Sequence, residues 1–156
     1  MNRHVNAIAG RLSLRKPQRD SLEILDRITE IVPPRKAADV AAALAIIRGE
    51  YPTVTDFERE FPSLCFALAT GVGKTRLMGA FIGYLYLAHG INNFFVMAPN
   101  LTIYNKLIAD FTPNTPKYVF KGISEFAVDA PVVITGENYD QEDKDFRLGQ
   151  GPGTNV

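Results

Sequence analysis

Ala69-Thr70-Gly71-Val72-Gly73-Lys74-Thr75 lies between a short apolar run and a segment of helical period. The run before it, Ser63 to Ala69, reads Ser-Leu-Cys-Phe-Ala-Leu-Ala between Pro62 and Gly71, as a strand buried on both faces does. Lys74 to His89 after it sets Leu77, Phe81, Leu85 and Ala88 on one side and stops at Gly90, which predicts a helix. Strand, glycine turn and helix in that order are the context of a loop that holds nucleotide phosphates. Gly71 and Gly73 permit torsions and a close backbone approach that a Cβ blocks, so successive N–H groups turn toward phosphate oxygens. The helix start adds its positive dipole end. Lys74 is expected to reach the β- and γ-phosphates, and the Thr75 hydroxyl to ligate Mg²⁺ between them. Thr70 and Val72 complete the loop, and Arg76 is expected to face solvent. The general pattern G-x-x-x-x-G-K-[ST] places a glycine where this chain has Leu68. A chance Gly-Lys-Thr in a glycine turn is the bland alternative.

Outward from the loop the pattern continues. Asn93 to Ala98 reads as another apolar strand and Leu101 to Phe111 as an amphipathic helix after the Pro99-Asn100 turn. Lys117 to Phe120 and Pro131 to Thr135 read as further short strands. Alternating strands and helices predict a parallel sheet with helices on its faces, an α/β fold. Upstream, Pro17 to Val32 and Ala37 to Arg48 read as helices, and Thr55 caps a short turn through Glu60. The expected organisation is a helical segment over 1–62, the first part of an ATPase lobe over 63–136, and a polar flexible loop or truncated end over 137–156.

Composition sets the outer bounds. With 156 residues, 46% hydrophobic and 22% charged, the chain has the make-up of one ordinary globular domain, neither disordered throughout nor fibrous. Seventeen basic and seventeen acidic residues cancel, so net charge gives no reason to expect nucleic acid. Residues 1–36 hold eight Lys or Arg against four acids, and 137–147 hold five acids against two bases; both read as solvated faces. The single cysteine, Cys65, excludes an intrachain disulfide and is expected in the core. His4 and His89 have no cysteine or carboxylate at metal-ligand spacing, so a zinc site is not expected. Without a signal peptide or an apolar run near the ~18 residues of a membrane span, the expectation is a soluble, cytoplasmic protein with no membrane partner.

Ala-Thr-Gly-x-Gly-Lys-Thr without the leading glycine resembles motif I of superfamily-two helicases and translocases. Leu14-Arg15-Lys16-Pro17-Gln18 ahead of a helix resembles the adenine-recognition element of that superfamily. The resemblance implies that Gln18 reads the adenine edge and Arg15 lies against the base; an exposed first-turn residue is the alternative for Gln18. Phe94 to Leu101 resembles motif Ia, which implies that Pro99, Asn100 and Thr102 touch a nucleic-acid backbone. Together with Phe-Pro-Ser-Leu at 61–64 and Asn-Tyr-Asp at 138–140, the pattern looks most like the ATPase part of the restriction subunit of type III restriction enzymes.

That resemblance implies a RecA-like lobe, ATP and Mg²⁺ as cofactors, DNA as a partner of the full-length protein, and a modification (methyltransferase) subunit. In the family a carboxylate-containing motif II and a second lobe lie further on, so the chain reads as an N-terminal part of a longer protein or a truncated relative. A nucleotide-binding or interaction module without turnover and a small-molecule kinase are the competing functions. Leu68 and the Arg15–Gln18 element speak against the kinase.

Overall fold

The computed structural model describes residues 2–34 and 39–139, which form six helices joined by turns and segments of no regular structure. α1 (Arg3–Arg11) begins at Asn2, whose side chain accepts from the His4 N–H. α2 (Lys16–Ile31) carries Pro17 in its first turn, where a missing N–H costs nothing. α3 (Val40–Glu50) is capped by Asp39, which accepts from the Ala42 N–H. α4 (Lys74–His89) opens at Gly73 and ends at Gly90, both left-handed. α5 (Leu101–Phe111) is capped by Asn100, and α6 (Ser124–Val128) is one short turn.

The main core gathers Val5, Ile8 and Leu12 around α1, Leu22 and Leu25 of α2, and Ala80, Ile82 and Tyr84 of α4, closed by Phe111, Phe120, Ile123 and Phe126. Gly79 and Gly83 let 119–126 lie directly on α4: a Cβ on Gly79 would meet Val119 Cβ at 3.0 Å, and one on Gly83 would meet Ile123 Cδ1 at 2.7 Å. Gly122 in turn packs against the Arg11 backbone so closely that a Cβ would overlap the Arg11 carbonyl. A smaller cluster of Ile28, Ala43, Ile47 and Phe57 joins α2 to α3.

A polar knot lies where α2 crosses α4. Tyr84, 1% exposed, donates to Asp26 Oδ1 at 2.7 Å, and its hydroxyl lies 3.1 Å from Thr29 Oγ1 and 3.2 Å from His89 Nε2. Asn2 donates to the same Asp26 oxygen at 2.8 Å.

The expected parallel sheet is absent: among the described residues there is no strand, and bridge pairing is limited to single residues, Asn93 and Val132. Segments 63–69, 93–98 and 131–135 form no ladder beyond those single bridges, and Lys117 to Phe120 is a turn. A central parallel strand is covered on both faces. Here Phe94, Val96 and Ala98 pack on the helical core while Phe95 and Met97 are 89% and 78% exposed. These segments dock one face only. Cys65, expected in the core, is exposed for the same reason. Helices α2, α4 and α5 match their sequence patterns, whereas α1 and α6 were not expected. Ala37 and Ala38, expected to start α3, and 140–156 lie outside the described residues. No helix among the described residues is long and apolar enough to cross a membrane.

Candidate functional site

Gly71 and Gly73 adopt φ values of +82° and +93°, the left-handed region that only glycine enters without strain. That pair of torsions turns the chain from the 63–69 segment into α4. Gly73 is the N-cap of α4 and supplies no side-chain hydrogen bond, and the first turn holds no acidic residue. The opening N–H groups of α4 therefore keep their positive end without a capping carboxylate.

Beside this turn is a cavity of about 630 Å³, within the size range of small-molecule sites. Its walls include Arg15, Gln18, Gly71, Val72, Gly73 and Thr75. The opposite wall comes from α5 and the segment after it. Six basic residues, Arg11, Arg15, Arg76, Lys106, Lys117 and Lys121, stand against a single acid, Asp110. Arg11 pairs with Glu125, and Lys106 pairs with Asp110. The surplus positive charge makes the cavity attractive to a polyanion.

The structure thus brings the loop glycines, Thr75, Arg15 and Gln18 to one cavity. Lys74 is exposed at the head of α4 and is not among the wall residues. Thr70 is likewise exposed at the loop's start. Gln18 is 2% exposed, so it is not the surface residue that a first-turn position suggests. Its Nε2 donates to the Gly73 carbonyl at 2.9 Å and its Oε1 accepts from the Arg15 N–H at 2.8 Å. Arg15 Nη1 reaches the Gly71 carbonyl at 3.5 Å.

Pro99, Asn100 and Thr102 are exposed and line neither this cavity nor the apolar one described next. Asn100 Oδ1 takes the Ile103 N–H at 3.0 Å, so one donor of the α5 N-terminus is satisfied internally. The apolar cavity, about 730 Å³, lies between 93–98, α5 and 133–136. Asn138 ties that last segment down, accepting from the Thr135 N–H at 2.6 Å and donating to the Val133 carbonyl at 2.9 Å.

Lys106, Lys117 and Lys121 escaped the sequence reading. Their only signal was a helical stripe and two lysines flanking an apolar turn, a pattern that solvated faces share. Fitness for a triphosphate with Mg²⁺ rests on the glycine cradle, the carboxylate-free start of α4 and a hydroxyl, Thr75, in the wall. Residues 11–149 match the family described as Type III restriction enzyme, res subunit. Comparison with curated proteins and with solved structures gave no match.

Proposed function

Because the chain belongs to the type III restriction enzyme res subunit family, a family of helicase-type ATPases, we propose that its basic cavity is an ATP site. The observation that carries the proposal is the Gly71–Gly73 turn, left-handed at both glycines, opening α4 in the wall of a cavity rich in cations. In this reading the loop backbone and the α4 N-terminus receive the phosphate chain, and Lys74 swings in from solvent to meet its terminal groups. Thr75 offers the oxygen ligand for Mg²⁺, which, when bound, neutralises charge on the phosphates. Arg76, Lys117 and Lys121 draw the anion into the cavity.

In the same proposal, Pro99, Asn100 and Thr102 at the start of α5 meet a DNA backbone, and a modification subunit is the protein partner. Both follow the family membership.

Calorimetric titration tests the ATP site. Lys74→Ala is expected to weaken Mg·ATP by more than about tenfold while leaving the melting temperature unchanged, since the side chain is exposed. Equal affinity in the variant overturns the assignment of the loop.

A further inference from the structure

Only half of the cations around the basic cavity have partners in the chain. Arg11 is paired with Glu125 at 3.3 Å, Lys106 is held by Asp110, and Arg15 rests against the Gly71 carbonyl at 3.5 Å. Arg76, Lys117 and Lys121 make no ion pair and no side-chain hydrogen bond among the described residues. Lys117 and Lys121 flank a turn that the core holds in place: Val119 and Phe120 between them are 8% and 0% exposed, and the Val119 N–H donates to the Asp110 carbonyl at 2.9 Å. The two lysines thus stand exposed on a fixed wall, and Arg76 joins them from the first turn of α4. Like charges gathered on one cavity repel, and its single acid, Asp110, is already taken by Lys106. The ATP reading does not use them up. There the loop N–H groups, the start of α4 and Lys74 meet the phosphate chain, and Mg²⁺, when bound, neutralises part of its charge.

We infer that Arg76, Lys117 and Lys121 form a second oxyanion subsite, across the cavity from the glycine loop, for a phosphoryl group that the loop does not hold. A guanidinium offers such a group parallel N–H donors, and the ammonium groups add compact charge. Two sources carry that chemistry: a free phosphate ion, or the far end of a phosphate chain longer than a triphosphate that reaches over from the loop. The subsite draws on the cavity's unpaired charge alone, so it stands apart from the ATP reading.

Phosphorus NMR of the full chain tests it, with inorganic phosphate titrated at constant ionic strength in the presence and absence of saturating Mg·ADP. The wild type is expected to bind phosphate in both conditions, and Lys74→Ala to bind it equally well. Lys117→Ala combined with Lys121→Ala should weaken it by about tenfold or more, as when charged hydrogen bonds are lost. Arg48→Ala, which removes a positive charge from α3 outside the cavity, should leave it unchanged. Adenosine 5′-tetraphosphate covers the other source: it should then bind more tightly than ATP in the wild type and no better than ATP in the double lysine variant. Either pattern supports the subsite. Without a tetraphosphate gain, phosphate that Mg·ADP displaces and Lys74→Ala loses belongs to the loop, which overturns the subsite while the ATP site stands. An equal loss in Arg48→Ala reduces the effect to net charge and overturns it too, as does a wild type with neither phosphate binding nor a tetraphosphate gain. A chain that binds phosphate through the lysines but no Mg·ATP loses the ATP site and keeps this one.

Discussion

His89 shows how much one residue's surroundings dictate. Tyr84 gives its proton to Asp26, and Thr29 gives its own to the Leu25 carbonyl at 2.9 Å, so both oxygens face His89 Nε2 as acceptors. Nε2 therefore carries the hydrogen, and the ring titrates at Nδ1. Burial holds the imidazole below its ordinary value of 6.5, with Asp26 opposing in part, and burial likewise pushes the Tyr84 hydroxyl up to about 12. Below pH 6.5 the unfolded chain takes up a proton on this histidine before the folded one does. Stability must then fall as the pH drops below that value and be fully present above it. Melting curves between pH 5 and 8 should show this slope in the wild type and a shallower one in His89→Gln. Tyr84→Phe removes the hydroxyl from the knot and should cost about 1 to 3 kcal/mol in urea unfolding. At the same scale the loop was legible: Gly71, Gly73, Lys74 and Thr75 announce torsions and charges that few other residues supply. The partners of Gln18 were not, because a hydrogen bond to a carbonyl 55 positions away leaves no trace in local spacing.

Helices declared themselves where three- and four-residue spacing met a stop signal, as in α2, α4 and α5. α1 carries the same signal in Val5, Ile8 and Leu12 and went unread beside its basic residues, while α6 is too short to show a period. Apolar runs without a period misled, because Ser63 to Ala69 and Asn93 to Ala98 record only an aversion to water. Whether such a run pairs depends on neighbours that the run does not contain. Close approach between elements was equally silent, and Gly122 is the plain case. Gly122→Ala would drive a methyl into the Arg11 carbonyl, backbone against backbone, and should cost about 1 to 3 kcal/mol. Gly10→Ala, where a Cβ meets nothing and a helix gains propensity, is the control and should be neutral or stabilising. Comparable urea midpoints for the two variants would contradict the packing described.

Across the whole molecule, α1 and the 119–126 segment meet over most of the chain's length, with Arg11 bound to Glu125 at 3.3 Å, 114 positions apart. That ion pair is open to water, so Glu125→Gln should change stability by less than about 1 kcal/mol. Phe126 is 1% exposed against Phe120 and Tyr86, and Phe126→Ala should cost about 3 to 5 kcal/mol. The contrast places the hold of the 119–126 segment on the helical core in apolar contact and not in charge. It also sets a timetable. α1 precedes this segment in the chain, yet the core the two share is complete only when Phe126 has followed more than a hundred residues later. Until then Val5, Ile8 and Leu12 have α2 and α4 for company but no closing wall, and the core waits on one of its most distant contacts. During synthesis α1 emerges long before the segment that completes the core they share, and a nascent chain paused before Phe126 still shows part of that core to water.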